Sequence, residues 1–463
     1  MKILLTHAYF LNDDPKEMVI MKPYPPLGIL YVSAYLEKHG FQNDVFDSTF
    51  SNFETLQKQI LETEPDVIGV YTNLMTKLNV LKLIQFVRAQ KNLSTKIILG
   101  GPEVRHHKEK FLEHGAHVIV FGEGEVTMLE LMKHYSSPDS KTESLKHITG
   151  IAFKDENEIV VINEDRELIT DLDTHPQPNR VKIDLQKYFD TWKKHHGQSV
   201  VSLSTMRGCP YDCKWCSRAV YGQSYRRRSP AKVVDEMQWL KENYQFDMIW
   251  FVDDVFTVNY PWLREFAAEL DKRKLKIPYE IITRADRLNE SIIQTLKQSG
   301  CHRVWIGAES GSQKIIDAMS RRVKVEQVRN MIQLSQQHGM QAGTFIMLGY
   351  PGETQEDIAE TIHHLKVSDP DIFTLTVAYP IKGTPLYTEV QNDFIQPLPW
   401  ESSSDRDIDF KRTYNRKFYD YAIRWVNNEV ALHKAQKAKA LSKIPMLKLK
   451  SVAAQVGMAY HKN

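Results

Sequence analysis

The sequence predicts an α/β protein: an N-terminal doubly wound, Rossmann-like domain, then a partial (β/α)6 barrel of parallel strands, then a helical C-terminal extension. Three observations predict it. From Lys2 to Tyr135 short apolar runs alternate with helix-length polar stretches, the pattern of parallel strands buried on both faces. From Gln198 the alternation resumes with six further runs. Between them the composition changes, so that 463 residues divide into parts that each bury a core. The expected boundaries are 1–135, 136–197, 198–390 and 391–463.

The first strand is expected in "KILLTHAY" and the first long helix in "PPLGILYVSAYLEKHGF", with Leu27, Leu30, Tyr31 and Ala34 on one face and Gly40 at its C-terminal cap. Further strands are expected in "DVFD", "PDVIGVYT", "KIILGG" and "AHVIVFG", giving a five-stranded sheet that ends near Tyr135. Ligands of this architecture sit at the carboxyl ends of the strands, here "YTNLMT", "GGPEV" and "FGEGE". Residues 136–197 read as a linker: "ITGIAFKDENEIVVINEDRELI" alternates like a small hairpin and "DLDTHPQPNR" is irregular. The barrel strands follow as "SVVSLSTM", "DMIWFVDD", "PYEIITRA", "RVWIGAES", "AGTFIMLG" and "IFTLTVAY", with the active site expected at their carboxyl-terminal mouth.

A net charge of +2, with 42% hydrophobic and 25% charged residues, is that of a soluble globular protein and argues against nucleic acid as a partner. No run approaches the roughly 18 apolar residues of a membrane span, and the opening apolar run is too short for a signal peptide. A cytoplasmic location is expected.

Three of the four cysteines stand in "GCPYDCKWC", as Cys209, Cys213 and Cys216, directly after the first barrel strand. A structural zinc site wants a second ligand pair some way downstream, and none follows. A thioredoxin-like exchange site could use "CKWC" but leaves Cys209 without a role. Three thiolates suit a four-iron cluster with one iron open to substrate or cofactor. Cys301 lies far off, at the start of a strand, and reads as a buried small hydrophobe.

The CxxxCxxC spacing, followed by "FVDD", "TRAD", "GAESGS", "IMLGYPGET" and "GTPLY", resembles the radical S-adenosylmethionine superfamily over residues 199–387. The resemblance implies that Cys209, Cys213 and Cys216 hold a [4Fe-4S] cluster whose open iron chelates S-adenosylmethionine. Reductive cleavage then gives a 5'-deoxyadenosyl radical, with electrons from a donor such as flavodoxin or ferredoxin. It further implies Trp215 beside the adenine, Asp254 on the methionyl ammonium, Glu309 on the ribose and Gly349 where the backbone nears the adenosyl group. The "VDD" stands where many members carry GGE, which leaves Asp253 as the competing acid. Read without the resemblance, each acid is a loop carboxylate or a helix cap.

The first domain, with "PPLGILYVSAYLEKHGF", "GGPE" and "FGEGE" ahead of such a barrel, resembles the cobalamin-binding domain of the cobalamin-dependent members. The alternative is a flavodoxin-like domain with another ligand or none. The resemblance points to Gly100, Gly101 and Glu103 and to Gly122, Glu123 and Gly124 as cofactor-binding, the glycines leaving room for a nucleotide tail. The DxHxxG that supplies a cobalt-ligating histidine in many cobalamin proteins is absent, and "DTHPQP" in the linker is a coincidence. The lower face then falls to the loop holding Tyr71, Thr72 and Asn73, residues that read equally as helix caps.

The resemblance implies methylation of an unactivated carbon of a small-molecule substrate. The competing readings are radical oxidation or ring formation, as in the anaerobic magnesium-protoporphyrin monomethyl ester cyclases, and a non-catalytic corrinoid or iron-sulfur binding protein. No catalytic residue is assigned. In "SYRRRSP", Ser229 and Pro230 start a helix. The C-terminal lysines, interleaved with Leu441, Ile444, Met446, Leu447 and Leu449, suggest a membrane-surface helix, against which stand Pro445, read as an interruption, and an ordinary basic tail.

Overall fold

The computed structural model describes residues 1–138, 141–396 and 398–462. The chain forms two compact units, one of residues 1–210, 218–248 and 399–404, the other of 211–217, 249–398 and 405–463.

The first unit is built on a seven-stranded sheet. Its strands are β1 (Ile3–Thr6), β2 (Asp44–Phe46), β3 (Val67–Tyr71), β4 (Lys96–Gly100), β5 (Val118–Val120), β6 (Ile151–Lys154) and β7 (Val160–Ile162), in the order β2-β1-β3-β4-β5-β6-β7. The first five are parallel. Successive side chains point to opposite faces, and both faces are apolar. Ile3, Leu5, Val67, Ile98, Val118 and Val120 pack with Leu36, Met128 and Leu131, whereas Leu4, Ile68, Val70, Ile97, Leu99 and Ile119 pack with Leu56, Ile60 and Leu83.

Two details depart from the sequence reading. The hairpin β6–β7 does not stand apart as a linker: it adds to the sheet, with β6 antiparallel to β5 at Val118–Phe153 and Val120–Ile151. An uncovered β5 would have left its outer N–H and C=O groups unpaired, and the hairpin supplies their partners. The helix Leu27–Lys38 buries Ile29, Leu30, Ser33 and Leu36, not the row through Leu27, Tyr31 and Ala34. Gly40, with φ of +87°, closes its end in the left-handed region.

All six barrel runs are strands. The first, β8 (Val200–Leu203), counts with the first unit, as does a two-residue ribbon of β9 (Met206–Arg207) and β10 (Arg226–Arg227), which pair antiparallel. The others are β11 (Met248–Phe251), β12 (Tyr279–Thr283), β13 (Cys301–Glu309), β14 (Gln341–Leu348) and β15 (Ile372–Val377), and from β11 to β15 each is parallel to the next. Helices follow as expected, and three of their starts are capped: Ser229, Asn259 and Asn289 each accept a hydrogen bond from a first-turn backbone N–H, with Pro230 in the first turn after Ser229. The C-terminal extension includes helices Arg416–Lys437 and Ile444–Tyr460. Pro445 does not interrupt the second of these; it occupies its first turn, where the missing N–H costs nothing.

Candidate active site

At the carboxyl ends of β1, β3, β4 and β5 the first unit holds a cavity of about 240 Å³. Its apolar wall is Leu5, Val32, Ile98, Val120 and Met128, and its floor and lip are short of side chains because Gly28, Gly69, Gly100, Gly101, Gly122 and Gly124 line it. Gly122 takes φ of +91° with nothing within 4 Å of where a Cβ would stand, so the turn is open toward the cavity. Gly101 serves a different end: a Cβ there would lie 2.4 Å from the Thr72 carbonyl oxygen, so this glycine lets the loops after β3 and β4 meet.

Six of the residues expected to bind cofactor line this cavity: Tyr71, Gly100, Gly101, Gly122, Glu123 and Gly124. Three do not. Thr72 donates its N–H to the Gly100 carbonyl, and Asn73 accepts hydrogen bonds from the N–H groups of Met75 and Thr76, a capping role. Glu103 turns toward His107, 3.7 Å away. Tyr221 and Val220 complete the wall and were not predicted. Burial and the nearby Tyr221 push the Tyr71 hydroxyl up to about 12, so both phenols stay neutral near pH 7. Among the described residues no histidine lines the cavity.

Glu123 is the polar centre of the rim. Its carboxylate accepts hydrogen bonds from Arg207 (2.8 Å), Arg226 (2.6 Å) and the Ile169 N–H (2.8 Å). Arg207 also reaches Glu125; burial would raise that carboxyl, but the arginine outweighs it and holds the pKa below its usual value. Of the three arginines of "SYRRRSP", Arg226 pairs with Glu123 and Arg228 with Glu236, while Arg227 donates to the Thr205 hydroxyl.

In the second unit, the cysteine segment packs among the barrel residues. Cys213 is buried, and two buried guanidiniums donate to its sulfur, Arg321 at 3.7 Å and Arg284 at 3.8 Å. Arg284 is held by Asp286, by the Arg321 carbonyl oxygen and by the face of Tyr211, 4.0 Å from its ring centre. Arg321 approaches Glu309, 3.8 Å away at the end of β13. Gly307 makes this possible, since a Cβ there would lie 2.8 Å from the Glu309 carboxylate and closer still to Arg321. Glu309 sits in the left-handed region (φ +66°) beside a bulge in β13, and burial raises its carboxyl against the pull of Arg321 and Arg284.

Trp215 is half-buried against Ile315, Met319, Tyr350 and Leu386. Asp253 is buried, whereas Asp254 keeps its side chain exposed. The Asp254 carboxyl is raised by the protein crowded around it and by Asp253. Gly349 (φ +74°) donates its N–H to Glu353 at 2.6 Å, and Arg412 flanks it, so this turn is already filled by protein groups. Burial pushes Glu353 up to about 8. Cys301 stands at the opposite end of β13 from Glu309, about 26 Å by strand rise, and burial pushes its thiol up. It has no access to the chemistry of the other three.

All four cysteines are free of disulfides. Among the described residues no three His, Cys, Asp or Glu side chains converge on a single metal ion. A four-iron cluster asks for something else, one thiolate for each of three irons, and the cationic donors around Cys213 suit a multiply anionic cluster. The glycine-walled cavity, open at Gly122, suits a bulky ligand admitted by the absence of side chains.

Residues 203–365 match the Radical SAM superfamily and residues 19–132 match the B12 binding domain. The chain is a radical S-adenosylmethionine protein with a B12-binding domain. An uncharacterized methyltransferase of Pyrococcus horikoshii is 28% identical over 415 residues, covering 88% of this chain and 87% of the relative. The anaerobic magnesium-protoporphyrin IX monomethyl ester cyclase of Cereibacter sphaeroides is 25% identical, covering 85% of this chain and 64% of the relative. The cobalamin-dependent S-adenosylmethionine radical enzyme OxsB, solved with aqua-cobalamin bound, has the same fold with a TM-score of 0.77 at 18% identity, covering 98% of this chain and 72% of that one. With both domains present, this radical S-adenosylmethionine protein has the fold expected of it, a B12-binding domain, a half-barrel of parallel strands and a helical C-terminal region.

Proposed function

We propose that this radical S-adenosylmethionine enzyme methylates an unactivated carbon of a small-molecule substrate, using a [4Fe-4S] cluster on Cys209, Cys213 and Cys216 and cobalamin in the glycine-walled cavity. The observations that carry the reading are the presence in one chain of that cavity and of a cysteine segment whose Cys213 sulfur is flanked by two buried arginines. A methyltransferase aligned over most of both chains supports it. Together the bound groups supply reductive cleavage of S-adenosylmethionine and methyl transfer.

The chain's own residues do the rest. Arg284 and Arg321 balance negative charge at Cys213, while Trp215 and its apolar neighbours keep water from the sulfur's surroundings. Glu309, at the end of β13, offers a carboxylate for a ribose hydroxyl, and Asp253 and Asp254 at the end of β11 offer acids for an ammonium. Gly100, Gly122 and Gly124 leave the volume that a nucleotide tail would need, and Tyr71 and Tyr221 line the same cavity with neutral phenols.

Radical oxidation or ring formation is the second reading, favoured by the cyclase alignment over 405 residues. The products formed from S-adenosylmethionine by the anaerobically reconstituted enzyme, with a reductant such as flavodoxin or ferredoxin, discriminate the two. S-Adenosylhomocysteine together with 5'-deoxyadenosine is expected. 5'-Deoxyadenosine alone would replace methylation by the second reading.

A further inference from the structure

We infer that the last helix, Ile444–Tyr460, is a docking face for an anionic lipid bilayer. Its inner face is fixed: Ser451, Ala454 and Met458 are buried, Ser451 donates to Glu429 at 2.5 Å, and Gly457 is pressed against Tyr421, where a Cβ would come 2.4 Å from the ring. That packing sets what the opposite face presents. With about 3.6 residues per turn, Leu449, Val452, Val456 and Tyr460 fall in one row. They are 70%, 57%, 64% and 84% exposed, and Met446 beside them is 53% exposed. A row of large apolar side chains held outward is not how a helix in contact only with water is composed.

Charge selects the partner. Residues on either side of Leu449 stand about 100° from it around the helix, so Lys448 and Lys450 border the apolar row on both edges. Residues 430–463 contain seven lysines and neither aspartate nor glutamate. Lys434 and Lys437 are used internally, on the Pro370 carbonyl and on Asp369. Among the described residues Lys439, Lys443, Lys448 and Lys450 are exposed, and their ammonium groups make no hydrogen bond or ion pair. An apolar strip flanked by unpaired cations is the surface of a helix lying in the plane of a bilayer, with the strip below the headgroups and the ammonium groups among the phosphates. Among the described residues no helix is long and apolar enough to cross a membrane, so the contact is lateral.

The test is co-sedimentation of the full chain with vesicles of phosphatidylcholine alone or mixed with phosphatidylglycerol. Binding to the mixed vesicles only, released by salt, is expected. Lys448→Gln and Lys450→Gln should each weaken it about fivefold. Leu449→Ser with Val456→Ser should weaken it by about tenfold or more, with melting temperature and S-adenosylmethionine cleavage in solution unchanged. If that double variant melts lower, a polarity-sensitive dye on Val456→Cys gives a second readout, and its emission should shift to the blue only with phosphatidylglycerol present. Failure to bind mixed vesicles, equal binding to neutral vesicles, or a concentration-dependent dimer that the double variant abolishes would each overturn the assignment.

Discussion

The guanidinium of Arg321 lies 3.7 Å from the Cys213 sulfur, and that of Arg284 approaches the same sulfur at 3.8 Å. Two cations donating to one buried thiolate stabilise the more negative, reduced form of any cluster bound there, because hydrogen bonds to the sulfurs and local charge set its potential. Arg321→Met should therefore lower the midpoint potential by about 59 mV, a tenfold change in the one-electron equilibrium, with iron content intact. A redox titration followed by electron paramagnetic resonance checks this; an unchanged potential would assign the arginines to packing alone.

The cysteines should separate cleanly. Alanine at Cys209, Cys213 or Cys216 is expected to abolish both the cluster's spectrum and S-adenosylmethionine cleavage. Cys301→Ala, at the far end of β13, should keep about four irons per chain and lose only ~1–2 kcal/mol of stability from the small void. Iron and sulfide assays with thermal melts measure both.

Gly100 is the better probe of the cavity. Its backbone lies outside the left-handed region and a Cβ there would meet only Val120, at 3.8 Å, so Gly100→Leu can fold and project into the space. It should weaken cobalamin binding by about a hundredfold, as a lost pocket does, and leave the cluster unaltered. Gly101 cannot report this, because any side chain collides with Thr72 first. In the unsubstituted protein the Co(II) signal should show no nitrogen splitting from a protein imidazole, since no described histidine lines the cavity. A wild-type chain that binds no cobalamin would remove the assignment.

Glu353 should make stability depend on pH. Burial raises its carboxyl from 4.5 to about 8, so the folded chain binds a proton that the unfolded chain has released between those values. Stability is full below about pH 4.5 and falls as pH rises toward 8, by on the order of 5 kcal/mol. Glu353→Gln retains an acceptor for the Gly349 N–H and removes the titration, so its melting temperature should exceed the wild type's at pH 8.5 relative to pH 6.

The alternation of strand and helix was readable because both faces of each sheet strand are buried, which writes Ile68, Val70, Ile97 and Leu99 as unbroken apolar runs. The cysteine spacing was readable for a similar reason, being local in sequence. What was not readable is non-local. Nothing in "SRAVYG" announces that Tyr221 walls a cavity made by strand ends about 100 to 216 residues earlier, or that Arg207 would be engaged by Glu123 and Glu125. Thr72 and Asn73, which read equally as caps or as cofactor contacts, lie in a loop where the structure shows turn bonds: Thr72 to the Gly100 carbonyl and Asn73 to the N–H groups of Met75 and Thr76. Pro445 was misplaced by one helix, since the residue that breaks a helix from within begins one from its first turn.

Glu123 binds Arg207 of β9 and Arg226 of β10, the two feet from which the cysteine-bearing segment 208–225 departs and to which it returns. A free segment of that length would forfeit about 2–3 kcal/mol of closure entropy on bringing its ends together. Here the two ends are held together by one carboxylate and a two-residue ribbon. On the proposed reading, cluster assembly starts from a segment whose two ends are already tied together, rather than from an open chain.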